Sequence, residues 1–150
     1  MNARYSLTSF LVGSAFIVLG GLVAAVSTPL GLQSGPWVAA YLVLVCGVAQ
    51  CLFGIVRRYV ATSPITSARF AMEFVCWNVG NAAVVVGDLA GIPTAVALGG
   101  TLLVVVLVLQ LVQLRRVSPE LHWAAWLYGS ILVVLLLSVP VGIVLSAFGG

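Results

Sequence analysis

Apolar residues fill this chain in five runs, each about as long as a bilayer-crossing helix, and polar residues collect in the short joints between them. The runs cover residues 6–28, 36–56, 68–90, 93–114 and 123–146. A hydrocarbon core about 30 Å thick takes about 20 apolar residues wound as an α-helix. The pattern therefore predicts an all-α, polytopic membrane bundle of five transmembrane helices, forming one domain over residues 1–150. The joints carry the expected punctuation. Ser27, Thr28, Pro29 and Gly31 end the first run, and Ser34-Gly35-Pro36 opens the second with proline near the first helical position. Thr66 and Ser67 are N-caps for the third. Gly91 and Pro93 separate the third from the fourth, and Ser118-Pro119-Glu120 starts the fifth, in which Pro140 predicts a kink.

The third run breaks the apolar pattern in an ordered way. In RFAMEFVCWNVGNAAVVVGD, at about 100° per residue, Arg69, Glu73, Trp77, Gly80, Asn81, Gly87 and Asp88 share roughly a third of the helix circumference. Ala71, Val75, Val79, Ala82 and Val86 hold the other side. One face is thus polar or small and the other suits lipid. A carboxyl group at this depth is costly, and ionisable residues within membrane helices face protein or a wet cavity. Glu73 is accordingly the centre of the candidate site, with Trp77, Asn78, Asn81 and Asp88 on the same helix.

Two other helices add polar groups. On the second, Ala39, Val43, Cys46, Gly47, Gln50 and Gly54 form a small-residue stripe with one strongly polar member, Gln50. On the fourth, Gly99, Leu103, Val106, Gln110 and Gln113 line one side. From the rise per residue, Gln50 lies about 10 Å inside Arg57, Glu73 about 6 Å inside Arg69, and Gln110 about 8 Å from Arg115. The three fall at similar depth, and a Gln50–Glu73 hydrogen bond is expected. The first helix supplies Gly20/Ala24 and Gly21/Ala25, small pairs that admit a close neighbour.

Composition agrees with the pattern: 63% of residues are hydrophobic and 6% charged, against about a quarter charged in soluble domains. Charge then sets the topology. Arg4, Arg57, Arg58, Arg69, Arg115 and Arg116 all border the same side of the five runs. The positive-inside rule makes that side cytoplasmic, with the N terminus inside and the C terminus outside in the cell (inner or plasma) membrane. Topology alone accounts for the net charge of +3, so nucleic acid is not an expected partner. Arg4, the apolar stretch and Val23-Ala24-Ala25 imitate a secretory leader, but the stretch is longer than most leader cores and is read as a membrane helix.

Catalytic and metal chemistry is poorly supplied. His122 is the single histidine, and neither HExxH nor CxxC spacing occurs. Cys46, Cys51 and Cys76 are odd in number and lie within helices, which fits small packing residues better than a disulfide or a thiolate metal site. Glu73 and Asp88 are about 22 Å apart along one helix, too far to act as an acid and base pair. No enzyme activity, cofactor or metal is expected. The leading reading is an oligomeric permease or channel for a small solute or protons with its path along the third helix; the alternative is a non-catalytic accessory or assembly subunit of a larger membrane complex whose polar stripe is a helix–helix contact face. Both expect the lipid bilayer and either copies of the chain or a larger complex as partners.

One likeness bears on the first reading. Gly47-Val48-Ala49-Gln50 with Gly54, followed by Phe70 and Trp77 in the next helix, resembles the second and third helices of the acetate/succinate uptake permeases, over about a fifth of the chain. The resemblance implies an oligomeric channel for monocarboxylates, a six-helix ancestral fold, and Gln50 and Trp77 close to the path. The chain departs from that family in lacking its Asn-Pro-rich N-terminal motif and in having five runs. It also carries Glu73 near the place of an aromatic residue at the family's constriction.

Overall fold

The computed structural model describes residues 2–59, 65–114 and 122–148, and the side chains of all of these except residues 2, 142–143 and 145–148. Among the described residues the regular structure is entirely helical: α1 (Asn2–Ser27), α2 (Gly35–Tyr41), a π-helical segment (Leu42–Ala49), α3 (Gln50–Tyr59), α4 (Ser67–Leu89), α5 (Pro93–Gln113) and α6 (His122–Phe148). Five helices are long and apolar enough to cross a bilayer, with α2, the π segment and α3 together making one of them. The predicted spans agree with these to within about a turn. The exception is the second, expected as uninterrupted α-helix, because hydrophobic periodicity does not register the change from i+4 to i+5 bonding. Arg115, Arg116 and the Ser118-Pro119-Glu120 start of the last helix lie outside the described residues.

The chain falls into two compact units, Met1–Tyr59 and Val60–Gly150. In the first, α1 packs along α2, the π segment and α3. The approach is close enough that backbones meet. A β-carbon at Gly13 would lie 2.7 Å from the carbonyl oxygen of Gly47, and one at Gly54 would lie 2.7 Å from that of Ser6. Two directional bonds secure the same seam. Ser6 Oγ donates to the Gly54 carbonyl at 2.7 Å, and Cys51 Sγ donates to that of Phe10 at 3.5 Å. Of the small residues predicted on α1, Gly20 meets Val43, whereas Gly21 has open space and Ala24 and Ala25 are exposed. Gly20, Gly21, Ala24 and Val43 edge a groove of about 480 Å³ that is also lined by Thr28, Pro36 and Ala40.

In the second unit α5 packs on both α4 and α6. The α4–α5 turn closes by a six-to-one bond from Ile92 N to the Gly87 carbonyl (2.7 Å) and a bond from Gly91 N to that of Asp88 (3.1 Å). Gly91 takes the left-handed conformation this closure requires, φ +65°. The tight turn sets α4 and α5 side by side. Their backbones touch at Gly80 and Gly99, where a β-carbon on Gly99 would come within 2.6 Å of the Gly80 carbonyl oxygen. Thr66 caps α4 by accepting from Arg69 N at 3.3 Å. The apolar side of α4 predicted for lipid, Ala71, Val75, Val79, Ala82 and Val86, is exposed throughout.

Candidate functional site

The α4–α5 register fixes where the polar side chains of the second unit meet. Glu73, 2% exposed, sits a turn and a half into α4 and faces α5. Its Oε1 accepts from Arg69 Nε at 2.8 Å, one helical turn away, and from Gln113 Nε2 at 3.0 Å. Its Oε2 accepts from Gln110 Nε2 at 3.3 Å. Gln110, itself 3% exposed, accepts through Oε1 from the hydroxyl of Tyr128 on α6 at 3.4 Å. Three helices therefore contribute to one hydrogen-bonded cluster in which a guanidinium offsets the carboxylate. Such charge-assisted bonds are stronger than neutral ones. The Arg69 side chain is 42% exposed, so the cluster opens toward its surroundings on the arginine side and is closed on the other.

That closure comes from packed side chains. Trp77 lies one turn beyond Glu73 at 2% exposure, and Leu103, Val106 and Leu107 of α5 are 0–1% exposed. Past these comes the Gly80–Gly99 backbone contact, and past that Gly87, where a β-carbon would lie 2.9 Å from the Val96 nitrogen. The seam between α4 and α5 is filled with protein from Glu73 onward.

The predicted residues divide by this geometry. Glu73, Gln110 and Arg69 come together directly, and Trp77 and Asn81 are buried beside them on α4. Asn81 Nδ2 donates to the Trp77 carbonyl and Asn78 Nδ2 to that of Phe74, both at 2.8 Å and both within α4. Asp88 does not join the buried face: Gly87 takes the inward position at the helix end, and Asp88 is exposed. Gln50, expected to bond Glu73, belongs to the first compact unit. It is 1% exposed, and neither amide atom has a hydrogen-bond partner. Glu73 accepts from donors on α4 and α5, a pairing that the short α4–α5 turn holds in register. Arg57 is buried, and Arg4 and Arg58 are exposed.

Two members of the cluster were not singled out from the sequence as site residues. Gln113 shares the polar face of α5 and lies three residues after Gln110, so helical spacing already carried its signal. Tyr128 had a fainter one, a hydroxyl within an otherwise apolar run, and such a group needs a partner when buried. The cysteines are free thiols, and among the described residues no three His, Cys, Asp or Glu side chains gather where they could hold a metal ion. No protein-family model, curated protein or solved structure matches the chain.

Proposed function

We propose that this chain is a multi-pass membrane protein acting as a non-catalytic accessory subunit of a larger membrane assembly, with the Glu73 cluster as the lock that holds its second helical unit in one shape. The observation that carries this reading is the saturation of Glu73: both carboxylate oxygens accept hydrogen bonds from Arg69, Gln110 and Gln113. A carboxylate engaged in this way is interhelical glue of the kind polar side chains supply between membrane helices. Within the unit, Glu73 is thereby engaged by α4 and α5 together. Contact with a larger partner falls to the apolar surfaces that remain, above all α6, where Trp123 and Trp126 are 69% and 79% exposed.

The permease reading keeps one observation in its favour, the hydrogen-bonded chain from half-exposed Arg69 through Glu73 and Gln110 to Tyr128. Against it stand Trp77, Leu103 and the Gly80–Gly99 contact across the same seam. These contacts count against a monocarboxylate path through the α4–α5 seam itself.

Flux measurements on the purified chain in phospholipid vesicles separate the two readings. The accessory reading expects no proton or acetate flux above protein-free vesicles across a pH series, for the wild type and for Glu73→Gln alike. It also expects a stoichiometric larger partner to accompany the chain out of native membranes in mild detergent. Flux that Glu73→Gln abolishes in a folded protein would refute it.

A further inference from the structure

The second span holds a feature that the Glu73 cluster does not use. Eight consecutive residues, Leu42–Ala49, wind as a π-helix. This geometry is rare and occurs mostly as single turns inserted in α-helices, often at functional sites. Its i to i+5 bonds put more residues into each turn than an α-helix has. The same eight residues wound as α-helix would be longer and would rotate the two flanks against one another.

A second observation sits at the end of this segment. Gln50 is the first residue of α3, and its side-chain amide is 1% exposed with both Nε2 and Oε1 unpartnered. Buried side-chain amides nearly always have at least one partner. The orphaned group therefore lies at the point where the winding changes, and any change of winding would alter what surrounds it.

The flanks are held to α1 in different ways. On the α3 side, Ser6 Oγ to the Gly54 carbonyl and Cys51 Sγ to the Phe10 carbonyl are directional and resist sliding. On the α2 side the close contacts with α1 are glycine surfaces, Gly20 against the Ala39 carbonyl and Val43 of the π segment, and Gly35 against Ser27. Van der Waals contact of this kind tolerates a shift in register better than a hydrogen bond does.

We propose that Leu42–Ala49 is a register switch with two windings, the π form seen here and an α form, and that the unpartnered amide of Gln50 sets the balance between them. The glycine contacts of the π segment favour the π form, and the buried amide opposes it. In the α form α3 keeps its bonds to α1 while α2 rotates and moves outward along α1.

Distance measurements between spin labels test this in the full chain. Labels go on Ala40→Cys and Ile55→Cys, exposed positions on either side of the segment. The background carries Cys46→Ala, Cys51→Ser and Cys76→Ala, in phospholipid nanodiscs. Two distances are expected without further change, the shorter from the π form and the longer from the α form. Gln50→Leu, of similar size but without the amide, should remove the longer one. If Gln50→Leu does not fold, Gln50→Met carries the same expectation. A single distance with Gln50 in place, or two distances whose ratio the substitution leaves unchanged, overturns the proposal.

Discussion

Replacing Glu73 by glutamine should cost far less than replacing it by leucine, because the neighbouring amides can rearrange around one and not the other. In the native cluster Oε1 accepts two donors, Arg69 Nε and Gln113 Nε2, and Oε2 accepts one, Gln110 Nε2. A glutamine carbonyl placed at the Oε1 position keeps the first two bonds. Its NH2 then faces the NH2 of Gln110, donor against donor. Turning the Gln110 amide by half a turn removes the conflict: its oxygen accepts from residue 73, and its NH2 donates to the Tyr128 hydroxyl, which can accept as well as donate. The remaining loss is the charge assistance from a partly exposed arginine, about 1 kcal/mol. Leucine leaves one end of the buried Gln110 amide without a partner whichever way it turns, and Gln113 and Arg69 lose their acceptor, so the loss rises to roughly 2–4 kcal/mol. The rearrangement leaves a signature at Tyr128. In the native protein its 3.4 Å bond is long, and Tyr128→Phe should cost about 0.5 kcal/mol. In the Glu73→Gln background the hydroxyl has become the acceptor for a buried NH2, and the same change should cost about 1–2 kcal/mol. Equilibrium unfolding by SDS in mixed micelles, followed by tryptophan fluorescence, measures all four corners of this cycle. Additivity within about 0.5 kcal/mol, or equal losses for Glu73→Gln and Glu73→Leu, would refute the reasoning.

Three further predictions rest on single contacts. Gly99→Ala drives a methyl group into the Gly80 carbonyl and should destabilise by about 1–3 kcal/mol; Gly21→Ala, with open space around it, should be neutral or up to about 1 kcal/mol stabilising. The same unfolding assay ranks them, and the reverse order would show that the α4–α5 contact is not the tight one. Ser6→Ala removes the bond to the Gly54 carbonyl at a cost of about 0.6 kcal/mol, and a loss several times larger would mean that the hydroxyl does more than bridge α1 and α3. Gly91→Ala places a β-carbon at φ +65° and should cost about 1–2 kcal/mol, whereas an unchanged midpoint would show that the turn adopts another conformation.

How much of this was legible in the sequence differs by level. The spans follow from length and apolar content, which act over about 20 residues and tolerate local irregularity. The two faces of α4 follow from helical spacing: Val75, Val79 and Val86 are exposed, and Glu73, Trp77 and Asn81 are buried. Spacing failed at Asp88, which lies in the last turn of α4 and is exposed, while Gly87 beside it takes the position against α5. Depth alone placed Gln50, Glu73 and Gln110 in one layer, but depth says nothing about azimuth, and which amide reaches the carboxylate depends on how far each helix is rotated. The π segment is hidden for a related reason, since its eight residues are apolar or small in any winding. Tyr128 reaches Gln110 only because α6 packs on α5 at one particular rotation.

The α4–α5 hairpin also constrains how the protein is made. α4 has a mean hydropathy of 1.3, against 2.6 for α5, and it carries Glu73. Gln110 and Gln113 follow Glu73 by 37 and 40 residues along the message. A carboxylate without these partners is a poor passenger for the insertion machinery, where one charged residue at a helix centre costs about 2.5–3.5 kcal/mol. Arg69 travels on the same helix, but two of the three donors to Glu73 arrive only with α5, so α4 and α5 are expected to enter lipid as a pair. A nascent chain halted before Pro93 should fail to integrate its third span, and one extended past Gln113 should succeed.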